Sequence, residues 1–346
     1  MKKHAMIPIF IPHIGCPCNC VFCDQNTITA RTGAPSEEDV RAIIEERLPT
    51  LSGRDLDCVE IAFFGGSFTA IPREMQKGYL KIAKEYKDSG KVDEIRLSTR
   101  PDCIDDDELD LLEAYSVDSI ELGAQSFSNE VLTLSKRGHM KEAIIDASRL
   151  IKSRGFRLGL QLMIGLPGDD RETATSSARQ AAMLGPETAR LYPTVVLPGT
   201  ELADMLRDGS FTPMDEEMML SVTTDMYRIF LEEGITILRV GLKSTDLVTG
   251  SADLSGDYHP AFRQLVEGRI AMEEMRRLLA SEGIGGDKKD PEAIIFRSNE
   301  KWFPPMIGHK ACNKKQLEEE LGRGCVRFEK DNGLADGKIS LETCFD

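Results

Sequence analysis

Four of the chain's nine cysteines, Cys16, Cys18, Cys20 and Cys23, fall within eight residues, in the run GCPCNCVFCDQ over 15–25. Thiols this close point to metal or redox chemistry. Three arrangements compete for them. Zinc would take all four thiolates, although a structural zinc site usually pairs two CxxC knuckles across a spacer, and CxCxCxxC on one loop crowds a tetrahedron. A redox pair of Cys20 and Cys23 would need its CxxC to open a helix in a small βαβ domain, and leaves two thiols unused. The third arrangement takes Cys16, Cys20 and Cys23 as C-x3-C-x2-C, three thiolates for three irons of a 4Fe–4S cluster whose fourth iron is free to bind something else. Cys18 is then not a ligand. Cys58, Cys103, Cys312, Cys325 and Cys344 are scattered and read as packing residues.

A ligand loop needs a scaffold, and the strand candidate MIPIFIP (Met6–Pro12) leads straight into it. Further apolar runs follow: VEIAFFGG (Val59–Gly66), EIRLSTRP (Glu94–Pro101), SIELGAQS (Ser119–Ser126), RLGLQLMIGLPG (Arg157–Gly168) and ARLYPTVVL (Ala189–Leu197). Amphipathic stretches such as SEEDVRAIIEERLPTL and KEAIIDASRLIKSR separate them, several opening with Ser, Asp or Pro where caps and first turns favour those residues. The acidic run Asp105–Asp107 fits a helix N-terminus. Six repeats of strand then helix imply a parallel sheet with right-handed crossovers. Glycines and polar residues recur at the strand ends: Gly65-Gly66-Ser67, Ser98-Thr99-Arg100, Gln125-Ser126 and Gly165. That rim carries the active site in α/β barrels, so a barrel, complete or partial, is expected rather than an open sheet. Beyond residue 200 come a helix, a strand-like ITILRVGL, a Gly/Ser/Asp loop (Thr245–Asp257) and a long helix rich in Met. A linker then precedes a small α+β tail. The expected divisions are a barrel core over 1–240, a helical extension over 241–285 and the tail over 286–346.

With 346 residues, 43 of them basic and 58 acidic, the net charge is −15. That balance disfavours broad attraction to nucleic acid or anionic membranes. No segment approaches the roughly 20 apolar residues that span a bilayer. Pro8, Pro12 and His13 interrupt the only N-terminal apolar run, so no secretory signal is recognised and a cytoplasmic location is expected. In that reducing compartment a disulfide framework is not expected.

The C-x3-C-x2-C loop after the first strand of a βα barrel resembles the radical S-adenosylmethionine enzymes, which implies a partial (β/α)6-type barrel carrying a small α+β C-terminal extension. Phe22, between the last two cysteines, is the aromatic that the superfamily sets beside cluster and adenine. FFGGSFT puts Gly65, Gly66 and Ser67 where the superfamily's Gly-Gly-Glu-like element receives the cofactor's methionyl amino group, with Ser67 in place of the usual acid. STRPD, LGAQSF, KRGH and GLQLMIGLPGD are similar in order and spacing to the oxygen-independent coproporphyrinogen oxidases and to the radical half of the Elongator catalytic subunit. Carried over, Ser98, Gln125 and Ser126 belong to the cofactor pocket, and Arg137 pairs with the cofactor's carboxylate, a task suited to a guanidinium. Gln161 meets the ribose hydroxyls where an aspartate often stands, Ile164 packs on the adenine, and Gly165 allows close approach.

RLYPTVVLPGTEL, RVGLKST and YHPAFRQLV make the Elongator-type branch the nearer of the two, over roughly residues 5–280. The family's acetyltransferase domain and basic N-terminal RNA-gripping region have no counterpart in this sequence. The resemblance therefore implies cofactors, a 4Fe–4S cluster and S-adenosylmethionine, and a reductant such as flavodoxin or ferredoxin. The substrate is left unassigned, with transfer RNA disfavoured by the net charge, and no catalytic residue is assigned. Tyr192, Lys243 and His259 fall in segments that could face the pocket mouth, and His139 caps a helix. The alternatives are a porphyrin-modifying or haem-carrying relative of the coproporphyrinogen oxidases, and a non-catalytic iron–sulfur protein.

Overall fold

The computed structural model describes residues 4–11, 14, 16–23, 33–242, 259–284, 291–322 and 324–344. Lys243 and the loop Thr245–Asp257 lie outside these residues. Seven parallel strands form the main sheet: β1 (His4–Ile11), β2 (Cys58–Gly65), β3 (Glu94–Thr99), β4 (Ser119–Gln125), β5 (Arg157–Ile164), β6 (Thr188–Pro193) and β7 (Thr236–Val240). Their spatial order is their chain order, so every crossover steps to the next strand in the same direction. The sheet curls without joining β1 to β7 and remains a partial barrel. Six of its strands are those read from the sequence, and ITILRVGL supplies the seventh.

The intervening helices are α1 (Glu37–Leu51), α2 (Arg73–Asp88), α3 (Asp106–Ala114), α4 (Asn129–Leu134), α5 (Lys141–Ser153), α6 (Arg171–Met183), α7 (Glu201–Asp208) and α8 (Glu216–Glu232). Their starts follow local chemistry. Ser36 and Asp39 form a reciprocal capping box on α1, and Asp105, Asp170 and Asp215 cap α3, α6 and α8 by accepting from the third backbone N–H beyond.

Each strand alternates between two environments. Ile7, Ile9, Ile61, Phe63, Ile95, Leu97, Ile120, Leu122, Leu160, Leu162 and Leu191 face the helices and are fully buried. The other face, inside the curl, is polar, with Glu60, Arg96, Ser98, Glu121, Gln161 and Arg190 in adjacent registers. These side chains pair across strands: Arg96 Nε donates to Glu60 Oε2 at 3.1 Å, and Ser98 Oγ donates to Glu121 Oε1 at 3.0 Å. Arg190 Nε stands 2.9 Å from Glu121 Oε2, an ion contact not aligned as a hydrogen bond, and its guanidinium lies 4.7 Å from the Phe64 ring centroid. Burying charges is costly unless they are paired, so this interior reads as a built site rather than a packed core.

Helix α9 (Phe262–Glu282) packs on α8 and leads to the small α+β tail. There α10 (Phe303–Ile307) and α11 (Cys312–Leu321) accompany a three-stranded sheet in which β8 (Ala293–Ser298) lies between β9 (Val326–Lys330) and β10 (Ile339–Cys344). The methionines Met219, Met226, Met272 and Met275 of α8 and α9 are buried core residues. Among the described residues, no helix is long and apolar enough to cross a membrane.

Candidate active site

The cysteine loop leaves the C-terminal end of β1 and crosses the barrel rim. Val21 anchors it: its N–H donates to Ser135 O at 3.2 Å, and its carbonyl accepts from Leu202 N–H at 2.8 Å. The Val21 side chain is buried with Val196, Leu202 and Phe211, and Phe22 packs against the same cluster. A turn bond from Cys23 N–H to Cys20 O, 3.0 Å, closes the loop's second half. Cys20 is buried, whereas Cys16, Cys18 and Cys23 are half-buried.

Two buried arginines meet the thiols from below. Arg137 Nη1 is 3.2 Å from Cys20 Sγ, while its Nη2 donates to Gly123 O at 2.7 Å. Its Nε is buried with no partner. Lys136 and Gly138, with φ of +52° and +76°, turn the chain so that the intervening arginine points inward. Arg100 forks onto Asp102 through Nε at 3.0 Å and Nη2 at 2.8 Å, and also donates to Arg137 O. Its Nη1 reaches to 3.9 Å from Cys16 Sγ and its Nη2 to 3.7 Å from Cys18 Sγ. Burial works against the Arg100 charge, yet Asp102 and the neighbouring thiols raise its pKa. Burial likewise opposes ionisation of Asp102, but the Arg100 fork outweighs it and holds the carboxyl below the usual range. Burial and the Arg137 charge push His139 down to about 4, so its imidazole is neutral, with Nε2 buried and unpartnered.

The other strand ends complete the rim. Gly65 has a φ of +116°, and a Cβ there would fall 2.1 Å from Ile11 O, so only glycine fits where β2 meets β1. Gly66 N–H donates to that same carbonyl at 2.9 Å. Ser67 Oγ bonds Thr99 Oγ1 at 2.7 Å and accepts from Arg100 N–H at 3.1 Å, locking the β2 and β3 ends together. Gln125, at a bulge with φ of +67°, accepts a long bond from Gln161 Nε2, 3.4 Å. Ser126 Oγ is 3.2 Å from Ser177 Oγ and accepts from Ser128 N–H. Ile164 is fully buried, and Gly165, φ +79°, donates its N–H to Asp169 Oδ2 at 2.8 Å. Burial drives the Asp169 carboxyl up to about 7. Tyr192 OH is 3.5 Å from Arg190 Nη1 in the barrel interior, while His259 stacks edge-on against His309 near the tail.

Cys16, Cys20, Phe22 and Cys23 thus lie on the cysteine loop, and Gly65, Gly66, Ser67, Ser98, Gln125, Ser126, Gln161, Ile164 and Gly165 lie within or just past β2 to β5, while Arg137 comes from the turn after α4. Arg100 and Asp102 are the residues that motif reading left without a role. Their signal was present in STRPD, at a strand end, but its meaning depends on where the cysteine loop lands.

Among the described residues, the three loop sulfurs do not converge as the donors of a single ion would; the trio whose donor atoms lie within 4.8 Å of one another is His4, Cys58 and Glu94. In a 4Fe–4S cube each cysteine binds its own iron, which keeps the sulfurs apart. The donor chemistry fits that group: soft thiols on one loop, with buried guanidiniums placed to balance the charge of thiolates.

A model of the radical SAM superfamily matches residues 10–181, and a radical SAM C-terminal domain model matches residues 186–272. A tRNA uridine(34) acetyltransferase of Methanocaldococcus infernus is 30% identical over 190 residues, 49% of this chain and 36% of that protein. The chain therefore spans about a third of that relative's length. A heme chaperone of Bacillus subtilis is 24% identical over 338 residues, 93% of this chain and 83% of its own. Among solved structures, the archaeal Methanocaldococcus infernus Elp3 lacking its N-terminus superposes with a TM-score of 0.61 at 24% identity, covering 82% of this chain and 64% of that one.

Proposed function

The chain belongs to the radical SAM superfamily, and on that premise we propose that Cys16, Cys20 and Cys23 hold a 4Fe–4S cluster that works with S-adenosylmethionine. The observation that carries this reading is the pair of buried guanidiniums, Arg100 and Arg137, turned onto the thiols of Cys16, Cys18 and Cys20. Arg100 is already paired with Asp102, but among the described residues Arg137 has no carboxylate within ion-pair range, and a thiolate at Cys20 turns its 3.2 Å contact into a charge-assisted one.

A 4Fe–4S cluster and S-adenosylmethionine held here would supply one-electron radical chemistry for taking a hydrogen atom from substrate. The chain's own residues orient and shield. Gly65 and Gly66 let the cofactor's amino group approach backbone carbonyls, with Ser67 holding the β2 end still. Arg137 Nε, buried without a protein partner, would meet the cofactor's carboxylate. Gln161 and Gln125 would hold the ribose, Ser98 and Ser126 would support the pocket walls, and Phe22 would flank the adenine with Gly165 giving clearance. Ile164 shares the face of Leu160 and Leu162, is fully buried in the core, and would back the pocket from the helix side rather than touch the adenine. Substrate then occupies the polar interior lined by Glu121, Arg190 and Tyr192.

The deciding experiment is anaerobic reconstitution, followed by reduction in the presence of S-adenosylmethionine. Formation of 5′-deoxyadenosine and methionine is expected, with flavodoxin or ferredoxin able to replace a chemical reductant. A normal 4Fe–4S spectrum without either product refutes the reading, and zinc without iron refutes it sooner.

For substrate, the name of the acetyltransferase relative supports a tRNA uridine. Against a net charge of −15, binding must come from a local surface and be strongest at low salt. No tRNA binding at low ionic strength removes that class. A second reading, haem carriage, is supported by the likeness to the heme chaperone over most of both chains; a haem titration without a Soret shift dismisses it.

A further inference from the structure

Far from the cysteine loop, the first residues of three adjacent strands bring His4, Cys58 and Glu94 together. His4 and Cys58 are register partners on β1 and β2, and Glu94 opens β3 opposite Glu60. One donor atom from each lies within 4.8 Å of the other two. The eight residues of β1 run from His4 to Ile11 at the rim, about 23 Å at an extended strand's rise. This cluster is therefore distinct from the loop thiols. Cys58 is buried and Glu94 half-buried, while the His4 side chain is 34% exposed and opens a route from solvent.

We propose that His4, Cys58 and Glu94 form a metal site for zinc(II) at the N-terminal end of the barrel. A sulfur, an imidazole nitrogen and a carboxylate oxygen are the mixed donor set of a borderline-soft dication. Burial and the carboxylates of Glu94, Asp93 and Glu60 push the Cys58 thiol up to about 12, so a bound dication must displace its proton; as thiolate and carboxylate, Cys58 and Glu94 then bring two negative charges to match it. Of the nearby guanidiniums, Arg157 Nη2 holds Glu94 Oε2 at 2.6 Å, and Arg96 Nε holds Glu60 Oε2 at 3.1 Å while its Nη1 is buried without a partner.

Glu60 gives the independent observation. It is fully buried, and its Oε2 stands 3.5 Å from His4 Nε2, the carboxylate-behind-imidazole relation that orients metal-bound histidines. Its Oε1 is buried with no partner, an acceptor that a cation or a metal-bound water would satisfy. Three protein ligands leave one tetrahedral position for that water or for Glu60 itself. The site's role is structural. It ties the start of β1, an edge strand, to β2 and β3, and β1 is the strand from which the cysteine loop departs.

The test uses the full chain with Cys16, Cys18, Cys20 and Cys23 replaced by serine, so that the loop cannot compete for metal. After gel filtration this chain is expected to retain about one zinc, as three protein ligands allow. Cobalt(II) in its place gives a thiolate-to-metal charge-transfer band. Cys58→Ser abolishes that band, and His4→Ala weakens zinc binding by more than about tenfold, beyond what loss of an outer carboxylate costs. No retained zinc, or retention unchanged by Cys58→Ser and His4→Ala, overturns the proposal. In case the four-serine chain fails to fold, metals are also counted in the native chain carrying its cluster. Zinc beside iron is expected there, with His4→Ala losing the zinc and keeping the iron. Iron without zinc overturns the proposal equally.

Discussion

Gly138→Ala tests whether Cys18 sits where the structure puts it. Gly138 has a φ of +76°, and a Cβ built on it lies 2.2 Å from Cys18 Sγ, 3.5 Å from Arg100 Nη2 and 3.6 Å from Cys18 Cβ. Two costs are separable. The left-handed backbone is worth about 1–2 kcal/mol against any L-residue with a Cβ. The sulfur must also retreat by roughly 1.5 Å to ordinary contact distance, which breaks its approach to Arg100. Removing the sulfur isolates the first cost, because the remaining Cβ contact at 3.6 Å is unstrained. Gly138→Ala is therefore expected to cost about 2–4 kcal/mol alone and about 1–2 kcal/mol in a Cys18→Ala background, a coupling of roughly 1–2 kcal/mol. Urea unfolding of the reduced, metal-free chain measures all four corners of the cycle. Additivity within about 0.5 kcal/mol means that Cys18 does not contact Gly138, and the account of the loop's seat on KRGH fails with it.

Cys18→Ser should keep its iron on reconstitution, while serine at Cys16, Cys20 or Cys23 loses it; loss in Cys18→Ser makes Cys18 a ligand. Arg100→Lys removes the fork onto Asp102 and the double reach to sulfur, so chelators should bleach its visible iron–sulfur absorption several-fold faster, an effect scaled by the loss of bidentate pairing. Gly65→Ala puts a methyl into the Ile11 carbonyl, and thermal unfolding should show a loss of about 3 kcal/mol or more. Asp169 is held up to about 7, above its unfolded value, so it binds a proton in the folded state that the unfolded chain has released. Its stabilising contribution is complete below about 4 and is lost as pH rises toward about 7. Asp169→Asn, which can still accept from Gly165 N–H, should flatten stability against pH across that window.

Strand positions were legible because short runs with an apolar residue at every second position, bounded by Gly, Pro and Asp, are the physical signature of strands with one face in the core. β10 was not: GKISLETC has the mixed polarity of an edge strand and is fixed by pairing with β8 rather than by its own pattern. The site was legible where a motif carries backbone geometry. Gly65 and Gly165 both adopt positive φ, as close approach requires. Side chains acting across the rim were not legible, because Arg100 faces Cys16 and Cys18 only once the loop has been laid over β3. His4, Cys58 and Glu94 are far apart in sequence and meet through parallel register, which no local pattern encodes.

Val21 takes one backbone bond from the segment after α4 and another from the start of α7. During synthesis the four loop thiols leave the ribosome before Ser135, and long before Leu202 and Phe211, the residues that seat them. The loop cannot be clamped until β6 and α7 are in place. Its thiols therefore stay unclamped through more than half of translation, and topology sets the length of that window of oxidation and metal miscapture. If the loop holds the proposed cluster, iron would load only after β6 and α7 have formed.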